Sequence, residues 1–217
     1  MKKTLYSLML SDDVIREIDM LAHRMGTNRS NLVNQILAER VKVRTPEQRV
    51  NDIFSEIGEL MASSQIVPQF TAGAPSMALR SCLEYKYRPT VRYEVELLPA
   101  VNDGRIGSLS VVFRTQSNAL LGVLTEFFRI FSGVEKEFLP FDVHYLLEDG
   151  RFTRSLSCPI SNGSEKTGLS AKELAGIISD YIRLFDRLLK AYVAGNITPD
   201  GVAEEYAAEL RTRTILI

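Results

Sequence analysis

Across 217 residues there are two cysteines, two histidines and no tryptophan. Cys82 and Cys158 give no disulfide framework and no zinc-type C-x-x-C spacing, so they read as reduced, half-buried strand residues of a cytoplasmic protein. No run of about eighteen apolar residues is present to span a membrane, and Lys2-Lys3 leads into a strand pattern rather than a signal sequence. Glycine-rich phosphate loops, nucleophile elbows and H-E-x-x-H are all absent. His144 with Asp142 makes at most half a metal site, because strand alternation puts Cys158 on another face. The acids Glu135, Glu137, Asp200 and Glu204 read as solvated helix ends rather than as a carboxylate pair. Neither an enzyme, a cofactor nor a metal is therefore expected.

What is present begins at once. Leu5, Ser7 and Met9 alternate with Tyr6, Leu8 and Leu10, as successive side chains of a strand do. Ser11 is placed to cap a helix whose first turn carries Asp12 and Asp13 and whose apolar stripe is Val14, Ile15, Ile18, Leu21, Ala22 and Met25. Gly26 suits a left-handed stop. Asn28 then caps a second helix with the stripe Leu32, Val33, Ile36, Leu37 and Val41. About forty residues bury little core alone, and a lone strand leaves its backbone unpaired. Two copies pairing their strands across a two-fold axis solve both problems.

The order of strand, Ser11 cap, helix, turn Gly26-Thr27-Asn28-Arg29-Ser30 and second helix resembles the ribbon-helix-helix family of DNA-binding proteins, the Arc/MetJ/CopG class. The resemblance covers residues 1–44. It implies a homodimer or higher homo-oligomer that lays a two-stranded ribbon in the major groove of double-stranded DNA, in a bacterial or phage cytoplasm. By the same resemblance Leu5, Ser7 and Met9 face the bases. Lys2, Lys3, Asn28, Arg29 and Ser30 hold phosphates, the last three through the opening of the second helix. Leu5 and Met9 depart from the polar side chains usual there; they offer apolar contact, as to a thymine methyl, and no hydrogen bond to a base edge. Charge agrees with a nucleic-acid role for this segment. Residues 1–44 carry eight Lys/Arg against five acids, whereas the rest is net acidic.

Beyond the head the pattern is α+β. Thr45 and Gln48 form a capping box before Pro46 and the stripe Val50, Ile53, Phe54, Ile57, Leu60 and Met61, so residues 45–63 read as a linker helix. Residues 64–76 read as a loop. Alternating runs at 79–88 and 91–97, a hairpin turn at Asn102-Asp103-Gly104 and a further strand 106–115 predict an antiparallel sheet with one wet face. A nearly all-apolar helix follows to about Phe131, expected beneath the sheet, then a hairpin of 141–147 and 152–158 turned at Glu148-Asp149-Gly150. A polar loop 159–169, a helix 170–194 opened by a Ser170/Glu173 capping box, and a last helix from Thr198-Pro199 complete the chain. The apolar end, Thr214–Ile217, wants a sheet edge or a neighbour.

The expected protein is thus a ribbon-helix-helix unit (1–44), a linker helix (45–63) and an α+β sensor or oligomerisation domain (64–217). Its expected function is transcriptional repression, with a small-molecule or protein effector at the C-terminal domain. The alternatives are an interaction or structural protein that keeps the head only for dimerisation, and an antitoxin whose body masks a toxin.

Overall fold

A computed structural model of the chain describes residues 5–43, 45–69, 76–85, 88–102, 104–148, 150–157, 169–212 and 217. Helices α1 (Asp12–Arg24) and α2 (Arg29–Arg40) come first and pack on each other. Ser11 stands at the N-cap of α1 as expected, but its side chain makes no capping bond. Gly26 takes φ 63°, a left-handed conformation that costs glycine nothing, and lets the Thr27 N–H reach back to the Ala22 carbonyl at 2.9 Å. Residues 5–10, expected as a strand, pair with nothing among the described residues and belong to no sheet. A strand needs a ladder partner, and none of the described strands lies beside this segment.

Helix α3 (Pro46–Met61) has the expected capping box, with Gln48 N–H to Thr45 Oγ1 at 3.1 Å and Thr45 N–H to Gln48 Oε1 at 2.9 Å. Phe54, Ile57 and Met61 are fully buried, and α3 lies against α5 (Ala171–Val193) and the sheet. The helix read as a linker is therefore part of the body's core.

Among the described residues, six strands form one antiparallel sheet: β1 (Val67–Gln69), β2 (Ser76–Cys82), β3 (Thr90–Asn102), β4 (Arg105–Phe113), β5 (Tyr145–Glu148) and β6 (Arg151–Ser157), in the order β1-β2-β3-β4-β6-β5. β1 falls inside the stretch read as loop; at three residues including Pro68 it offers little pattern to find. β2 ends at Cys82 rather than near Arg88, since the Leu83 N–H bonds the Pro89 carbonyl at 3.0 Å and Arg88 turns at φ 43°. At the first hairpin Gly104 takes φ 77°, and at the second Gly150 takes φ 71°. Asp103, Asp149 and Cys158 lie outside the described residues, as does most of the 159–169 loop.

One sheet face, with Leu79, Tyr93, Val95, Val111, Phe152 and Leu156, meets the helices; the other carries Arg92, Glu94 and Arg151, which pair at 3.1 and 3.3 Å. α4 (Asn118–Phe138) is longer than expected and is buried through Phe127, Phe128 and Phe131. Phe128 stacks on Phe152 at 4.6 Å between centroids, and Phe131 meets Phe185 of α5 edge-on at 4.7 Å. α6 (Pro199–Leu210) packs on α4 and α5. Ile217 is buried in the same core, so the end of the described chain finds its cover within the body.

Candidate nucleic-acid interface

The head is a helix pair with most of its apolar surface uncovered. Of the stripe on α2 only Leu32 is buried, while Ile36, Leu37 and Val41 are exposed. Among the described residues, eleven of the seventeen exposed large apolar side chains lie between residues 5 and 43, in a fifth of the chain. Such a density is what a surface awaiting a partner carries. Leu5 is 96% exposed and Met9 101%, and Tyr6 and Leu8, on the opposite side of the alternation, are exposed as well. Ser7 is exposed too.

At the opening of α2, Asn28 Oδ1 accepts the Asn31 N–H at 2.9 Å. The N–H groups of the first helical turn have no intrahelical acceptor, and the helix dipole adds positive potential there. No acid stands in that turn. Arg29 and Ser30 are exposed at this end. The Arg29 guanidinium, however, grips Asp19 of α1 as a fork, with Nε donating to Oδ1 at 2.6 Å and Nη2 to Oδ2. The hydrogen bonds from Arg29 hold the Asp19 carboxyl below its usual range, and Asp19 raises Arg29 in turn. In the free chain a phosphate would have to compete with Asp19 for this side chain, though an exposed pair is weakly held. Lys2 and Lys3 lie outside the described residues. His23 is exposed on the flank of α1.

No family model, curated protein or solved structure matches the chain. The residues themselves carry the functional argument.

In the body the residues read as solvated acids divide. Glu137, Asp200 and Glu204 are exposed, but Glu135 is fully buried. Its Oε2 accepts from Arg154 Nε at 2.9 Å and from the Tyr145 hydroxyl at 2.9 Å, while Oε1 accepts from Tyr206 at 3.1 Å. Arg154, equally buried, also donates to the Ser155 carbonyl at 3.1 Å and to the main-chain oxygen of Ile217, and lies 4.4 Å over the Tyr181 ring. A charge in the core survives only when paired and hydrogen-bonded, and here α4, β5, β6 and α6 each supply a member. Burial and the Glu135 charge push the Tyr145 and Tyr206 hydroxyls well above their ordinary value. Two signals pointed to this cluster. Glu135 falls on the Phe128–Phe131 stripe of α4, and Arg154 sits between Phe152 and Leu156 on the inward face of β6. Opposite charges on two apolar faces imply each other.

The charged pair at its centre is fully buried, and Tyr145 is half-buried. Among the described residues no group of three or more His, Cys, Asp or Glu is placed to hold a metal, and no helix is long and apolar enough to cross a membrane. The cleft at the start of α3, lined by Val50, Ile53, Leu97, Ile106 and Leu174, holds about 20 Å³. That is room for a single water, far short of the several hundred Å³ (about 300 or more) of a ligand pocket.

Proposed function

We propose that the chain is a dimeric DNA-binding regulator, acting as a repressor, in which two heads join as a ribbon-helix-helix unit. The observation that carries this reading is the uncovered apolar surface of residues 5–43 on a helix pair of the expected order and turn. Antiparallel pairing of residues 5–10 from two copies would satisfy both backbones. Tyr6, Leu8 and Leu10 would then turn inward, toward Ile36 and Leu37. Leu5, Ser7 and Met9 would face the major groove, with Leu5 and Met9 giving apolar contact, so the head binds DNA better than it reads sequence. Phosphates would sit at Asn28–Ser30 and on Lys2 and Lys3, with Arg29 leaving Asp19 for a more highly charged anion. The acidic body would set the spacing or availability of the heads and take an effector or partner.

A mobility-shift series on the chain's own upstream DNA beside random DNA tests this. A selective shift at low salt supports a repressor, and a uniform shift supports architectural binding. In both cases affinity should fall steeply with salt and drop when Arg29→Ala and Lys3→Ala are combined. Full affinity in that double variant would overturn the phosphate placement.

A second reading has its own support. Leu5 and Met9 are apolar and fully exposed, and Arg29 is already engaged by Asp19. These fit an interaction protein, an antitoxin among them, that keeps the head for dimerisation alone. Absence of any shift at low salt from a dimeric protein selects it.

A further inference from the structure

The two edges of the sheet are finished differently. β1, at one edge, carries Pro68, a residue without an N–H that blunts edge pairing. β5, at the other, runs Tyr145-Leu146-Leu147-Glu148 with no such guard, and among the described residues nothing pairs with its outer side. Leu146 is 54% exposed and Leu147 38%. We propose that β5 pairs antiparallel with β5 of a second copy of this chain, about a two-fold axis at Leu146.

The ladder fixes the register. β5 and β6 pair as Tyr145 with Arg154, Leu146 with Thr153, Leu147 with Phe152 and Glu148 with Arg151. The Ser155 N–H donates to the His144 carbonyl at 2.9 Å, so His144 turns its backbone toward β6. Alternation along an antiparallel strand then spends the backbone groups of 144, 146 and 148 on β6 and points those of Tyr145 and Leu147 outward. One symmetric register engages both of these residues, with Tyr145 opposite the partner's Leu147 and the axis through Leu146. Four main-chain hydrogen bonds result.

Side chains agree with that register. His144, Leu146 and Glu148 share the outer face of the strand, and all three are exposed. Leu146 meets its own copy in a close non-hydrogen-bonded pair. His144 faces the partner's Glu148, a hydrogen-bonding or oppositely charged pair, and the symmetry repeats it. A shift of the axis to residue 145 or 147 would set Leu146 against His144 or Glu148 and leave one outward backbone set unpaired. The inference concerns the body alone and stands whether or not the head binds DNA.

Four hydrogen bonds and one leucine pair make a weak contact, so covalent trapping is the suitable readout. In the full-length chain, Leu146→Cys should form a disulfide between two copies in a glutathione redox buffer, located by peptide mass spectrometry so that links through Cys82 are told apart. Glu148→Cys should not link to itself, because two copies of residue 148 would stand four residues apart along the strand, about 13 Å and beyond disulfide reach. Adding Leu147→Pro to Leu146→Cys deletes an outward N–H while sparing the β6 ladder, and should lower the yield at least ten-fold. Equal trapping at 146 and 148, no trapping at 146, or indifference to Leu147→Pro would overturn the proposal.

Discussion

Head and body treat their apolar residues in opposite ways. In the body the stripes of α3, α4 and α5 and one face of the sheet close on each other, and even Glu135 and Arg154 are satisfied inside. In the head Ala22, Leu32 and Ala38 are buried, while Ile36, Leu37 and Val41 stay in solvent; no described residue before Val50 belongs to the main core. Amphipathic pattern therefore means two different things in one chain. In the body it marks side chains that close on one another, whereas in the head it marks side chains left in solvent, which the proposed dimer would cover.

The largest effect that would sharpen this contrast is expected at the buried ion pair. Glu135→Ala strands the Arg154 charge and the Tyr145 and Tyr206 hydroxyls, at a cost of about 3–5 kcal/mol. Chemical denaturation followed separately in head and body should show the loss in the body alone. High pH should act on the same region. Tyr93, Tyr145, Tyr181 and Tyr206 all have hydroxyls raised, first by burial, then for Tyr93 by Asp186, which accepts its hydrogen bond at 2.8 Å, and for Tyr145 and Tyr206 by Glu135. A group raised in the folded state stabilises it fully below the unfolded value, about 10 for tyrosine, and loses that contribution as pH rises beyond it. Phenolate absorbance from these four should therefore appear together with unfolding of the body. A smooth titration near 10 with the body intact would contradict their burial.

Dilution should act on the other region. If two heads fold together, each ten-fold dilution lowers the head's stability by about 1.4 kcal/mol, while the body, whose β5 contact is weak, moves far less. A head transition independent of concentration would break the comparison. The smallest effect belongs to Asp19→Ala. It frees Arg29 from an exposed pair, so DNA affinity at low salt should rise slightly and the body's stability should not move. A clear fall in affinity would mean that Asp19 positions Arg29 for DNA rather than competing for it.

Much of the body was legible because local chemistry and tertiary packing agree. The Thr45/Gln48 and Ser170/Glu173 capping boxes stand where the residue spacing puts them, and Gly104 and Gly150, like Gly26 in the head, adopt the left-handed turns their positions suggest. Alternation misled where a strand pattern ran on through a turn, as at Tyr85 and Arg88, because periodicity registers side chains and not the bond from Leu83 to Pro89 that reverses the chain. Glu135 carries a charge that suggests solvent, yet its place on the apolar stripe of α4 buries it. Residues 5–10 alternate as a strand would, yet they are exposed and join no sheet, since alternation alone supplies no ladder partner. Of the candidate interface, Asn28 capping α2 was legible, while the hold of Asp19 on Arg29 was not, since the two residues lie on different helices.

The head is tested most directly by a fluorescence-anisotropy titration of labelled duplex DNA with the native chain and with Ile36→Lys, side by side at low salt. Ile36 is exposed on the stripe that a second head would cover and lies more than a turn along α2 from the phosphate residues Asn28–Ser30, so a lysine there adds positive charge while opposing dimerisation. Tight binding by the native chain and at least a ten-fold loss in Ile36→Lys, despite the added charge, is the result expected of a dimeric DNA-binding head. Equal or tighter binding by Ile36→Lys, or no binding by the native chain, would contradict it.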